Sequence, residues 1–185
     1  NIHIVISAGS VGTAELNGFI IEKGKANGSA DITVNGQIVY RGNGGGLYMV
    51  SSSPRIENCI IRDNDAKDNG GGLYAANSSA NLISNKISGN TAGDGGGAYL
   101  NNTAVSLVNC LVSGNKTSGF GAGIYSYAFF QTPVIRNSTI ASNLAVLGGG
   151  GLYFTGLPIP ASPPLVYNSI VYGNRTGITV SNFVT

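Results

Sequence analysis

Four aspartates form the densest acidic group in the chain and are the first candidates for chemistry: Asp63, Asp65, Asp68 and Asp94. Carboxylates grouped in this way could bind Ca²⁺, or could supply the acid and base that cleave a glycosidic bond. All four lie in segments rich in Gly, Asn and Ser, where aspartate is also favoured by turn geometry. We therefore expect solvated turn residues, with a weak Ca²⁺ site as the alternative. No other cofactor is expected, and no catalytic residue is assigned.

Tyrosines recur in a Gly-Gly-aliphatic-Tyr motif or a close variant of it. The five members are Tyr48, Tyr74, Tyr99, Tyr125 and Tyr153. If the residue before each tyrosine faces a core, strand alternation turns the tyrosine outward. Two interpretations stay open: an aromatic ladder that stacks on itself and shields the strands, or an exposed apolar platform for sugar rings or a partner.

Asparagines recur in a second motif, aliphatic-x-Asn-small-x-aliphatic-x-x-Asn, which lies between the tyrosines. Its first asparagine is Asn58, Asn109, Asn137 and Asn168, with Ser84 as the exception. Its closing asparagine is Asn64, Asn90, Asn115, Asn143 and Asn174. We expect both columns to be structural ladders at turns, where amide groups satisfy buried backbone groups. On this interpretation Asn137 is too buried to carry a glycan, although it begins an Asn-x-Thr sequon.

The two motifs recur along the chain with nearly the same spacing, which is typical of a structural repeat. Each repeat contains short β-type runs broken by Gly, Asn, Asp and Ser, without helical periodicity. The sequence predicts one domain over residues 1–185, a right-handed parallel β-helix of about six coils of roughly 25–28 residues, with three short strands per coil. The surplus around residues 26–41 should loop out, and residues 156–164 should form a smaller bulge.

Charge and composition exclude several functions. The formal net charge is +2, and no run of Lys or Arg provides an electrostatic footprint for nucleic acid. No apolar stretch approaches the ~20 residues that a membrane-spanning helix needs, so we expect no membrane insertion.

Cys59 and Cys110 fall in one column two coils apart. At ~4.8 Å per coil their separation is about 9.6 Å, which is too far for a disulfide. His3, the only histidine, is expected to be a bland residue of an end coil.

The alternation of GGGLY with SSSPRIENCIIRDN, and the opening TAELNGFIIEKGKANG, resembles the large secreted right-handed β-helix repeat proteins of bacteria. The style is similar to the repeats of polymorphic outer-membrane autotransporters. The resemblance implies a protein that is secreted or held at the cell surface. This architecture hosts adhesins, structural proteins, lyases and glycosidases alike.

The residues and the resemblance together favour a non-enzymatic segment of an exported surface protein, such as an adhesin, stalk or fibre element. The alternative is a carbohydrate-active enzyme, either a polysaccharide lyase or a glycosidase, or a glycan-binding module. Both ends of the sequence are strand-like and apolar, whereas solenoids need polar caps. We therefore expect a segment of a longer solenoid, whose partners are flanking coils or other copies of itself, with surface glycans as a further candidate.

Overall fold

The structure is a computed structural model. It describes residues 3–10, 14–156 and 164–176, together with the backbone of two short strands at 179–180 and 183–184. The described residues contain strands and turns but no helix, and therefore none long and apolar enough to cross a membrane.

Each coil is built from strands of four, three, three and two residues, in that order. The first coil has β1 Val5–Ala8, β2 Glu15–Asn17, β3 Ile20–Glu22 and β4 Lys25–Ala26. A hairpin follows, β5 Ile32–Val34 and β6 Gln37–Val39. The next two coils have β7 Leu47–Val50, β8 Arg55–Glu57, β9 Ile60–Arg62, β10 Asp65–Ala66, β11 Leu73–Ala76, β12 Asn81–Ile83, β13 Lys86–Ser88 and β14 Thr91–Ala92.

The second half of the chain repeats this arrangement. Two further coils have β15 Ala98–Asn101, β16 Ser106–Val108, β17 Leu111–Ser113, β18 Lys116–Thr117, β19 Ile124–Tyr127, β20 Val134–Arg136, β21 Thr139–Ala141 and β22 Leu144–Ala145. The last coil has β23 Leu152–Thr155, β24 Leu165–Tyr167, β25 Ile170–Tyr172 and β26 Arg175–Thr176, followed by β27 Thr179–Val180 and β28 Phe183–Val184.

Equivalent strands of successive coils pair in parallel and in register, which produces four long sheets. The sheet that carries the tyrosines, named here the tyrosine sheet, has the order β1-β7-β11-β15-β19-β23-β28. Four inner coils, β7–β10 through β19–β22, have a neighbouring coil on both sides in all four sheets, and one further coil flanks them at each end, β1–β4 and β23–β26. The parallel solenoid predicted from the two motifs is confirmed.

The number of strands per coil differs from the prediction: there are four, not three. The reason is that the chain turns at four corners between strands, most of them marked by a left-handed residue. Three corners coincide with the asparagine motif and the glycine clusters. The fourth follows the tyrosine sheet and has the left-handed residues Gly9, Ser51, Asn77, Asn102 and Gly156, whereas the equivalent Ala128 after β19 is not left-handed. Its residue type changes from coil to coil, so the sequence pattern did not reveal it.

The core is a stack of aliphatic columns inside the coils. The two aliphatic positions of the asparagine motif predict inward columns, and both are buried in the inner coils, the first at Ile56, Leu82, Leu107 and Ile135 and the second at Ile61, Ile87, Val112 and Ile140. Val166 and Val171, the members of these columns in the last coil, are partly buried and pack against the core. The residues before the tyrosines, from Leu47 to Leu152, are also fully buried. Because each coil supplies only a few of these side chains, stability comes from stacking on the neighbouring coils.

The surplus segment near residues 26–41 forms an antiparallel hairpin of β5 and β6. Val39 of this hairpin packs with Tyr48 and Val50 on the outer face of the tyrosine sheet. The segment therefore leaves the coil and folds back onto it. Most of the expected bulge at 156–164, residues 157–163, lies outside the described residues.

Candidate functional site

The closing asparagines form a continuous ladder inside the third corner of the coils. All five are at most 1 % exposed: Asn64, Asn90, Asn115, Asn143 and Asn174. Each is preceded by a left-handed residue, which turns the chain so that the amide points inward. The predicted asparagine ladder is confirmed for this column.

Asn90 shows how one amide joins three coils. Its Oδ1 accepts hydrogen bonds from the backbone N–H of Asn64 (3.1 Å) and from the Asn64 Nδ2 group (3.0 Å). Its Nδ2 donates to Asn115 Oδ1 (3.0 Å) and to the Ile61 carbonyl (3.0 Å). The same pattern recurs at Asn115 and Asn143. Repeated amides thus satisfy the backbone groups that the corner would leave buried and unpaired.

The glycines before each tyrosine are fitted closely against this ladder. A Cβ on Gly97 would lie 2.5 Å from the Gly123 carbonyl oxygen and 2.9 Å from Asn115 Nδ2. The glycine cluster and the ladder are therefore complementary parts of one packing arrangement, since only the residue without a side chain lets the coils approach so closely.

The prediction of a second buried ladder is wrong. Its expected members are exposed at the corner between the second and third strands: Asn58, Asn109, Asn137 and Asn168. Their φ angles lie between 50° and 56°, in the left-handed region that asparagine tolerates better than other residues with a side chain. Two exposed links remain, Asn58 to Asn17 (3.1 Å) and Asn109 to Ser84 (3.1 Å). Backbone geometry, and not buried hydrogen bonding, explains this column.

At this corner, buried backbone N–H groups donate to the side chain that follows the exposed asparagine, or the equivalent serine, by one position. The motif required only a small residue there. Asn85 Oδ1 accepts from the Cys59 N–H (2.8 Å), and Ser138 Oγ accepts from the Cys110 N–H (3.0 Å). Both cysteines are buried and unbonded, as predicted, with Asn85 in the coil between them. Burial raises the pKa of the Cys110 thiol, which keeps it protonated.

The five tyrosines stack face to face along the outside of the tyrosine sheet. Ring centroids of successive tyrosines are 4.6–5.6 Å apart, with interplanar angles of 7–29°. This geometry favours the self-stacking ladder of the two interpretations. An open platform for sugar rings requires free ring faces, and here the faces are used by neighbouring tyrosines.

The expectation that all five tyrosines are exposed is also wrong. Tyr48 and Tyr74 are buried, whereas Tyr99, Tyr125 and Tyr153 are partly exposed. The hairpin covers the first of them, because the Tyr40 N–H donates to Tyr48 Oη (3.2 Å). Desolvation raises the pKa of the Tyr48, Tyr74, Tyr99 and Tyr125 hydroxyls above its usual value.

The four aspartates are not brought together as a metal site. Asp63 and Asp68 are exposed, and Asp94 Oδ1 accepts a hydrogen bond from the Phe120 N–H (2.7 Å). In the part of the chain that the structure describes, no group of three or more His, Cys, Asp or Glu side chains is placed to hold a metal ion. Two other carboxylates are engaged in surface ion pairs, Glu57 with Arg55 and Glu22 with Arg62.

His3 lies half-buried beside the start of the tyrosine stack. Its ring stands edge-on to Tyr48 with a centroid distance of 5.4 Å, and its Nδ1 is 2.9 Å from the Gly44 carbonyl oxygen. Burial is the main cause of a lowered imidazole pKa. We assign it a packing role in the first coil.

Comparison with known proteins adds one finding. The family model described as "Right handed beta helix region" matches residues 25–185. No curated protein and no solved structure matches the chain. The match includes the complete inner coils, and it agrees with the handedness that the sequence predicted.

Proposed function

Because the chain belongs to the right-handed β-helix family, we propose that it is a rigid, non-enzymatic segment of an exported surface protein, an adhesin, stalk or fibre element. The observation that carries the proposal is the buried asparagine ladder, which runs without interruption from Asn64 to Asn174. The repeated polar residues of the coils are thus used for stacking one coil on the next. A rod with these properties displays whatever lies at its tip or along its sides.

The positions of the carboxylates support the same proposal. Hydrolysis of a glycosidic bond uses two carboxyl groups about 5–10 Å apart across the bond. Asp63 is exposed near Arg62, while Asp94 is engaged with the backbone of the next coil. Asp63 therefore has a charged neighbour in its own turn, and Asp94 has a backbone partner in the next coil.

Assembly with other copies is part of the proposal. The outward residues of β24 and β25 are large, apolar and 42–72 % exposed: Leu165, Tyr167, Ile170 and Tyr172. Exposed apolar groups of this size are typical of association surfaces. A concentration series in the analytical ultracentrifuge tests this step, with Ile170→Ser plus Tyr172→Ser as the comparison. We expect the natural chain to associate and the double variant to remain monomeric; equal behaviour of the two would contradict it.

Turnover of polysaccharides is the experiment that separates the rod from an enzyme. The purified chain is incubated with a panel of neutral and acidic polysaccharides, and reducing ends and unsaturated products are measured. We expect no product above that of the heat-denatured chain. Product release that is lost in the Asp63→Asn, Asp68→Asn, Asp94→Asn triple variant would refute the proposal in favour of a carbohydrate-active enzyme.

A further inference from the structure

A cleft of about 410 Å³ lies between the hairpin and the outer face of the tyrosine sheet. The hairpin contributes Gln37 and Tyr40, and β11 contributes Tyr74 and Ala76. Asn77 and Asn101 complete it at the corner where the strands end. We name these six residues the hairpin cleft. Its volume lies within the range of about 300–1,000 Å³ that is usual for small-ligand sites.

The cleft results from where the hairpin is anchored. Asn35 Nδ2 donates to the Ala8 carbonyl (3.1 Å), the Tyr40 N–H donates to Tyr48 Oη (3.2 Å), and Ser51 Oγ donates to Gln37 Oε1 (2.9 Å). All three anchors lie on the first two coils. The third coil carries the small Ala76 where its neighbours have Val50 and Asn101, so a space remains beside the hairpin.

Two carboxamide groups in the cleft have unused donors. Gln37 and Asn77 each accept one hydrogen bond through oxygen, from Ser51 Oγ and from Asn102 Nδ2 (3.3 Å) respectively. Among the described residues, neither Gln37 Nε2 nor Asn77 Nδ2 has a hydrogen-bond partner within the chain. Tyr40 is 49 % exposed, and unlike the ladder tyrosines it is outside the stack.

The chemistry of the lining selects among ligands. No charged side chain is among the described residues that line the cleft. An anionic ligand would lack the cation that usually binds it, and a purely apolar ligand would leave the two amide donors unpaired. Hydroxyl groups can accept from carboxamides, and the apolar face of a sugar ring can pack on an exposed tyrosine.

We propose that the hairpin cleft binds a neutral oligosaccharide. Gln37 Nε2 and Asn77 Nδ2 donate to sugar hydroxyls, and Tyr40 packs against one ring. The inference gives the proposed surface rod a ligand. The proposal is tested by binding in solution. Absence of binding would not contradict the proposed surface rod or its location. Conversely, polysaccharide turnover or a cytoplasmic location would contradict the proposed function without changing the binding result.

The experiment is an NMR titration of the full 185-residue chain with maltotriose, cellotriose and N,N′,N″-triacetylchitotriose. A trigalacturonate is the charged comparison. Gln37→Glu and Asn77→Asp are nearly isosteric and keep the oxygen that accepts from Ser51 or Asn102, but they remove the amide donor. Asn137→Asp is the matched control, because Asn137 has the same left-handed backbone and exposure as Asn77 at a corner outside the cleft.

We expect at least one neutral trisaccharide to shift resonances of the hairpin and of β11, and to bind more tightly than trigalacturonate. Loss of one neutral hydrogen bond should weaken binding about three- to tenfold in Gln37→Glu and in Asn77→Asp. Asn137→Asp should bind as the natural chain does. Three results would each overturn the proposal: no binding of any of the three neutral sugars, binding by both cleft variants that is as tight as that of the natural chain, or tighter binding of trigalacturonate.

Discussion

Replacing Asn90 by alanine removes one amide from the middle of the asparagine ladder. The substitution leaves the backbone N–H of Asn64 without its acceptor and the Ile61 carbonyl without the Asn90 donor, both in the buried interior. Each buried group left unpaired costs about 1–3 kcal/mol. We therefore expect Asn90→Ala to lower the free energy of unfolding by about 2–6 kcal/mol.

The matched control is Asn81→Ala, because Asn81 lies in the same coil on β12 and is exposed. An exposed substitution of this kind changes stability by about 0.5 kcal/mol or less. Urea unfolding is followed by circular dichroism and by tyrosine fluorescence, since the chain contains no tryptophan. Hydrogen exchange at the Asn64 amide locates the effect within the coil.

Equal stability of the two variants would refute the reasoning. It would show that water or a local shift satisfies the Asn64 and Ile61 groups, so the ladder would not hold the coils together. Faster exchange confined to the Asn64 corner, together with the expected loss in global stability, would support it.

Further substitutions test the corners, the close packing and the tyrosines. Asn109→Leu should lower the free energy of unfolding by about 1–2 kcal/mol, because leucine must adopt the left-handed φ of 56°. Asn109→Gly should not lower it in this way, and equal urea midpoints for the two variants would contradict a backbone origin. Gly97→Ala should be more destabilising than Gly114→Ala in the same assay, since a Cβ at 97 lies 2.5 Å from a carbonyl oxygen, whereas at 114 no atom lies within 4 Å and only the positive φ is strained. Because desolvation raises the folded-state pKa of Tyr48 and Tyr99, the unfolded chain loses these protons first, so stability is retained below pH ~10 and falls as the pH rises further. Urea midpoints that do not change between pH 9 and pH 11 would show that these hydroxyls are not desolvated.

The fold could be predicted from sequence because its two motifs repeat with a nearly constant spacing. An inward aliphatic residue such as Ile87 recurs at each coil, and the ladder position occupied by Asn90 is asparagine in all five repeats of the motif from Asn64 to Asn174. Both requirements come from stacking identical cross-sections, so they appear as periodicity. The number of strands per coil was not predictable in this way, since the corner at Ser51 and Asn77 needs only a left-handed backbone and changes residue type.

The site was less predictable because it depends on one irregular segment. The sequence indicated outward tyrosines but not that the hairpin would fold back and bury Tyr48. Likewise, Asn58 and Asn64 looked alike in the motif, yet one is an exposed corner and the other a buried ladder residue. The sequence spacing predicts that both asparagines lie at turns, but the geometry of the coil decides which amide points inward.

We propose that this chain is part of an exported surface protein, and its location in the cells that produce it is the most direct test. An epitope tag is placed in the chromosomal gene at the tip of the hairpin, between Asn35 and Gly36, where the chain is exposed. Intact and lysed cells are labelled with a tag antibody that does not cross membranes, and a cytoplasmic protein is labelled in parallel. We expect labelling of intact cells, or recovery of the tagged protein from the medium, while the cytoplasmic protein stays unlabelled until lysis. Labelling of both proteins only after lysis, with none of the tagged protein in the medium, would contradict it.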